Sequence, residues 1–206
     1  MSTKMKDGSQ QSPTLLLASA SPRRRTLLAG LGVPFESRGL DADETFSPRQ
    51  APESVARMLA GRKLECVVDS DAWDYILTAD TIVCAPDEIG ETILGKPENE
   101  AQARHYLSRL SGRVHRVITG VSLGGRAVPT VQTALSQTRV QVAELSESEI
   151  SWYLSLEEWR DAAGGYRMQD AGAAFVEGIE GSASNVAGLP MRLVYSMLLS
   201  HRYPFR

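Results

Sequence analysis

Residues 14–25 read Thr-Leu-Leu-Leu-Ala-Ser-Ala-Ser-Pro-Arg-Arg-Arg. Thr14 to Ala18 is a short run with no charge, as expected of a strand buried on both faces. Ser21 suits a helix N-cap, and Pro22 suits the first helical position. The helix then runs to about Leu31 and closes at Gly32. A helix start offers unpaired N–H groups and a positive dipole end, so it attracts anions. Arg23, Arg24 and Arg25 add fork-shaped donors that match phosphate oxygens. Positive charge in a first turn opposes the dipole, so a purely structural explanation is poor. Two readings stay open from this stretch alone: a phosphate site or a solvated basic face.

Working outward, Val33 to Ser37 reads as a second strand and Leu40 to Ser47 as an acidic loop. Pro52 to Val68 has helical periodicity. Tyr75 to Ala85 reads as one long buried strand interrupted at Asp80, with Ile89 to Leu94 as a returning hairpin arm. Asn99 to Leu110 is an amphipathic helix. Val114–Leu123 and Val131–Ala143 are rich in β-branched residues and read as antiparallel strands joined around Gly124-Gly125. Ser146 or Ser148, with Glu149, caps a helix ending near Leu156. Gly164 to Gln169 is a loop, Ala173 to Ile179 a strand, and Leu189 to Leu199 a last helix.

The chain has 206 residues, 42% hydrophobic and 23% charged, which suits one α/β domain with its own core. With 22 Lys and Arg against 25 Asp and Glu, the net charge of −3 argues against a general nucleic-acid or anionic-membrane binder. No apolar run approaches the length needed to cross a bilayer. Met1 to Ser12 is polar and reads as a disordered leader, leaving 13–206 as a single domain with two lobes around a cleft. Cys66 and Cys84 have no metal-site spacing and fit reduced thiols in a cytoplasmic protein.

Two motifs are decoys. Gly90 to Pro97 nearly matches a phosphate-binding P-loop, but Pro97 stands where a magnesium-binding hydroxyl is needed. Gly120-Val-Ser122-Leu-Gly124 has the spacing of a nucleophile elbow, yet a strand rather than a helix is expected to follow. The acids are more informative. Asp41, Asp43 and Glu44 cluster in one loop, and Asp80 interrupts an apolar run. A carboxylate in a buried strand is costly unless paired or metal-bound; the alternative is a strand-end Asp capping a turn. Lys63 and Lys96 could supply the compensating charge. Acids for magnesium, with Arg and Lys for phosphates, make the outfit of phosphoanhydride hydrolysis.

The ordered motifs LASASPRR (17–24), DADE (41–44), ADT (79–81), LGKP (94–97), LSGRVH (110–115), TGV (119–121), GGYRMQ (164–169) and NVAGLP (185–190) closely resemble the Maf family of septum-formation-inhibitor-like nucleoside triphosphate pyrophosphatases. The resemblance covers about Leu15 to Leu199. It implies a mixed α/β fold with an elongated sheet, flanking helices and a cleft, related to inosine triphosphate pyrophosphatases. It implies the reaction NTP + water → NMP + pyrophosphate. By motif position, Ser21, Arg23 and Arg24 would bind the triphosphate. Asp43 matches a family acidic position, Lys63, Lys96 and Gln169 match active-site positions, and Asp80 matches the catalytic acid. Mg²⁺ or Mn²⁺ would lie between Asp43, Asp80 and the phosphates. Arg25 falls where the family varies.

GGYRMQ and the following Gly172-Ala-Ala-Phe-Val176 resemble the branch acting on dTTP and UTP. Gly165, Arg167 and Asp170 depart from that branch's usual Ala, Gly and Gly, and the 181–185 turn lacks the family's common aromatic. A 7-methyl-GTP pyrophosphatase and a nucleotide-binding regulator of cell division are the alternatives. The resemblance also suggests a homodimer.

Overall fold

A computed structural model describes residues 13–47, 50–88 and 90–205. The leader read at Met1 to Ser12, and Ile89 of the hairpin arm, lie outside these residues. The elements are β1 (Leu15–Ala18), α1 (Pro22–Ala29), β2 (Glu36–Arg38), α2 (Pro52–Glu65), β3 (Tyr75–Asp87), β4 (Gly90–Leu94), α3 (Glu100–Leu110), β5 (Val114–Gly124), β6 (Gln132–Val142), α4 (Glu147–Ser155), β7 (Val176–Glu180), α5 (Ala183–Val186) and α6 (Met191–Ser200). All seven strands join one mixed sheet in the order β2-β1-β3-β5-β6-β7, with β4 also on β3. The first two pairings, β1 with β2 and β1 with β3, are parallel. The rest are antiparallel.

β3 organises the molecule. Along one edge it pairs continuously with β5, from Ile76↔Gly124 to Cys84↔Arg116. Along the other edge it pairs with β1 up to Leu17↔Leu77 and with β4 from Val83↔Leu94 onward. Among the described residues, 78–82 have no strand partner on that edge, where β1 pairing has ended and β4 pairing has not begun. Asp80 therefore does not interrupt β3, contrary to the sequence reading. The unbroken ladder to β5 keeps the strand extended, and the break lies in the neighbouring strands.

Alternation along β3 sends its side chains to two faces. Ile76, Ile82 and Cys84 pack toward α2 with Leu16, Leu59 and Leu64. Tyr75, Leu77 and Ala79 pack on the other face with Leu28 of α1 and Val194, Met197 and Leu198 of α6. Val83 and Ala85, further along that same face, pack with α3 and α4 through Leu107, Ile150 and Tyr153. Gly120 lets α2 lie close. A Cβ there would fall 2.1 Å from the Ala56 carbonyl oxygen, so only glycine fits opposite Asp80.

Other boundaries differ modestly from the sequence reading. α1 stops at Ala29, with Gly30 at its C-cap, and Gly32 follows at φ +66°. Ala173 to Phe175 are not strand; residues 171–175 form a 3-10 turn before β7. Phe175 turns inward onto Tyr153 there, and Gly172 is pressed against the Arg167 carbonyl. The capping box of α4 uses Ser146 with Glu149. Gly90 to Leu94 form β4, so the first decoy is no phosphate loop. Ser122 is buried inside β5, bonded to the Thr133 hydroxyl at 2.7 Å.

Candidate active site

The gap beside residues 78–82 opens into a cavity of about 630 Å³. Its walls come from the 19–24 turn, Glu44, α2, β3, the Gly95-Lys96 corner, the 166–169 segment and the 186–188 turn. Of the expected site residues, Ser21, Arg23, Arg24, Lys63, Asp80, Lys96 and Gln169 all line it.

The turn after β1 is built from its own hydroxyls. Ser21 Oγ accepts from the Arg24 N–H at 3.4 Å, which makes it the N-cap. Ser19, buried, accepts from the Ser21 N–H at 3.2 Å and from Arg24 Nη1 at 3.3 Å. Arg24 also donates from Nε to the Gly188 carbonyl at 2.8 Å and from Nη2 to Thr81 Oγ1 at 3.2 Å. Burial pushes the Arg24 guanidinium below its ordinary value, and the Asp80 carboxylate opposes that. Gly188 is itself held in place. Buried Asn185 donates from Nδ2 to the Val117 carbonyl and to Thr138 Oγ1, both at 3.0 Å. Thr119 Oγ1 donates to the Asn185 carbonyl at 3.2 Å and bonds the Thr81 hydroxyl at 2.9 Å. The TGV and NVAGLP motifs thus converge on one arginine.

Asp80 and Thr81 are adjacent on β3 and so face opposite ways. Asp80 turns toward α2, where its carboxylate meets the Lys63 ammonium directly. Lys63 also meets Glu44 Oε1 at 2.7 Å, and Lys96 stands 3.9 Å from Glu44 Oε2. Burial works against the Glu44 carboxylate. The hydrogen bond from Lys63 and the charges of Lys63, Lys96 and Arg24 outweigh burial and hold Glu44 below its usual range.

The acidic loop corrects one expectation. The structure does not bring Asp43 into the cavity. Its side chain is 63% exposed and stands 3.6 Å from Arg62. It accepts from the Thr45 N–H at 2.9 Å and the Thr45 hydroxyl at 3.0 Å, which hold it below its usual range. The next residue, Glu44, faces the site instead. Three acids within one short loop look alike in sequence, and the local Asx-type turn at Asp43–Thr45 decides which one turns inward. Gln169 is exposed on the rim, near Asp170 at 3.5 Å. Sequence reasoning did not single out Glu44, Ser19, Thr81 or Gly188 for the site. Their motifs contained them, yet only the folded contacts separate them from their neighbours.

The 163–169 segment is fixed from below. Gly164 donates its N–H to the Gly95 carbonyl at 3.0 Å, tying the segment to the corner that carries Lys96. Buried Tyr166 bonds His115 Nε2 at 2.8 Å, and burial pushes His115 down to about 4. The Arg167 N–H donates to the Tyr153 hydroxyl at 3.0 Å.

A family model described as Maf-like protein matches residues 14–201. The chain belongs to the Maf family. It is 45% identical over 190 residues to a dTTP/UTP pyrophosphatase of Salinibacter ruber, covering 92% of this chain and 91% of that one. It is 43% identical over 184 residues to a dTTP/UTP pyrophosphatase of Myxococcus xanthus, covering 89% and 90%. Among solved structures, the Ham1 protein of Staphylococcus aureus matches 92% of this Maf chain and all of its own, with a TM-score of 0.51 and 11% identity. A HAM1 protein of Coxiella burnetii also has a TM-score of 0.51, with 13% identity, over 91% and 99% of the two chains. Those two likenesses place the Maf fold beside the Ham1 fold. No helix of the described residues is long and apolar enough to cross a membrane.

Proposed function

We propose that this protein is a nucleoside triphosphate pyrophosphatase that hydrolyses dTTP and UTP to the monophosphate and pyrophosphate. The observation that carries the reading is the pairing of Asp80 and Lys63 in the sheet gap, beside an arginine-lined helix start. Relatives named dTTP/UTP pyrophosphatase, 43% and 45% identical, support the substrate class. A house-cleaning role in the cytoplasm fits the reading, and Cys66 and Cys84 are both free.

The first turn of α1, with Ser21, Arg23 and Arg24, holds phosphate oxygens. Lys96 adds a half-exposed ammonium, and Lys63 supplies counter-charge deeper in the cleft. Asp80 orients a water molecule against the α-phosphorus and takes its proton. The new P–O bond forms as the bond to the β-phosphate oxygen breaks, and pyrophosphate leaves with the electron pair. Fixed donors around the spreading charge supply most of the acceleration. The exposed Gln169 amide, on the rim, reads the edge of the pyrimidine.

Asp80 and Glu44 are hard oxygen donors on one side of the cavity. Two carboxylates together with substrate phosphates suit Mg²⁺ or Mn²⁺. No group of three or more His, Cys, Asp or Glu side chains among the described residues would hold a metal alone. A cation bound there would draw charge from the phosphate oxygens. Glu44 takes the part first assigned to Asp43, which instead shapes the loop.

The test is pyrophosphate release with Mg²⁺ or Mn²⁺ over dTTP, UTP, CTP, the purine triphosphates and 7-methyl-GTP. Preference for dTTP and UTP is expected. Preference for 7-methyl-GTP overturns the substrate, and tight binding without turnover overturns the reaction. Asp80→Asn should lower kcat about 10²–10⁴-fold with binding retained. Near-full activity in that variant would sink the assignment of Asp80.

A further inference from the structure

The cations of the cleft are not all paired alike. At one end Lys63 meets Asp80 and Glu44, and Lys96 approaches Glu44. Two further guanidiniums, Arg23 from α1 and Arg167 from the 166–169 segment, also line the cavity. Among the described residues the Arg23 side chain makes no hydrogen bond or ion pair. Arg167 donates from Nη2 to the Arg160 carbonyl at 2.7 Å. Its nearest acid, Asp170, stands 4.0 Å from Nη1, and its Nε is buried without a partner.

Arg167 is nonetheless firmly placed. Its N–H is held by Tyr153, and its carbonyl accepts from the Asp170 N–H at 3.3 Å. Gly172 approaches so closely that a Cβ would lie 2.7 Å from that carbonyl oxygen. A backbone pinned at three points presents a second cation to the cavity that Arg23 lines. Burial and the charge of Arg167 together push Arg23 below its ordinary value, with Asp170 and Asp161 pulling the other way. Arg24 lies within the field of Asp80, Glu44 and Arg23. The electrostatic neighbours thus run from Asp80 through Arg24 to Arg23 and Arg167.

We propose that Arg167 and Arg23 form a paired-guanidinium subsite for the terminal two phosphates of the substrate, the portion that leaves as pyrophosphate. Two adjacent cations repel one another, and a dense anion between them removes that repulsion. A neutral base would leave both unpaired. The leaving group gains negative charge as its bond to the α-phosphorus breaks, so guanidiniums at this end stabilise the transition state as well as the bound substrate. The inference rests on the reaction proposed above and assigns a direction to the substrate within the cleft.

Pyrophosphate itself is the probe. Its binding is measured by titration calorimetry on the intact protein, and its inhibition of dTTP turnover alongside. Arg167→Gln should weaken pyrophosphate about tenfold or more, while dTMP binding and the dTTP:UTP ranking hold. Arg167→Lys keeps the charge but loses the fork, and should fall between. This second variant carries the test if the loss of the bond to the Arg160 carbonyl unfolds the first. Unchanged pyrophosphate binding in both variants overturns the subsite. So does a shift in base ranking with pyrophosphate unaffected, which would make Arg167 a reader of the base. A wild-type protein that binds pyrophosphate but releases none from any triphosphate overturns the reaction and leaves the subsite standing.

Discussion

The turn at 19–24 and the segment at 163–169 both line the cleft, and they are held in opposite ways. In the turn, the backbone is braced by its own hydroxyls: Ser21 caps Arg24, and Ser19 braces Ser21 and Arg24. Its distant bonds run mainly through one guanidinium, from Arg24 to Gly188 and Thr81, with Ser37 donating to the Ser19 carbonyl. The 163–169 segment has local bonds to Arg160, Ala162 and Asp170, but its short turn has no side-chain cap. It is also tied to Gly95, His115 and Tyr153, and among the described residues His115 Nδ1 and Arg167 Nε have no partner. The first is the preformed turn to which the proposed reaction assigns the phosphates. The second brings the Arg167 guanidinium to the cavity wall from a backbone held largely by other parts of the chain.

The largest expected effect tests the first region. Arg24→Gln removes the fork that joins Ser19, Thr81 and Gly188, and should lower kcat/KM about 10²–10³-fold. Parallel steady-state kinetics on Arg25→Gln, whose side chain is exposed and outside the cavity, provide the contrast. If both variants lose activity equally, the cradle is a diffuse basic patch and the comparison fails.

The second region should show itself in acid. His115 ordinarily titrates near 6.5 and is pushed down to about 4 by burial. Between those values the unfolded chain binds a proton there that the folded chain refuses. Stability therefore rises with pH across that window, and acidification removes up to about 3 kcal/mol through this group. Urea unfolding at pH 7 and pH 4.5 should show the loss in the wild type and a smaller loss in His115→Gln. Identical slopes would mean that the ring is not held neutral by the fold.

A smaller effect concerns the glycines of that segment. Gly164 sits at φ +73°, and a Cβ would lie 2.9 Å from Val83 Cγ1. Gly164→Ala should destabilise by about 1–3 kcal/mol and raise KM more than it lowers kcat. Thermal melts with kinetics would show it. Arg25→Gln stands last, with a stability change within about 0.5 kcal/mol.

The same contrast explains what was legible beforehand. The 14–25 stretch could be read because its signals are short-range: an apolar run, a hydroxyl cap, a proline and arginines in one turn. The long strands and the α4 capping box were legible for the same reason. Residues 173–175 were misread as strand because Phe175 answers to Tyr153, twenty-two residues away in sequence. Asp43 matches the family's acidic position by motif, yet neighbouring carboxylates carry no directional signal until the loop closes on Thr45.

The sequence by itself determined the α/β class, the order of the elements, the helix-start arginines and the buried Asp80, since each depends on periodicity, capping or the cost of burying a charge. Only the tertiary structure decided that β1 and β4 part beside Asp80, that Gly120 lets α2 bring Lys63 to it, and that Glu44 faces inward. Those outcomes depend on strand register and on the close approach of backbones far apart in the chain, which no local pattern encodes.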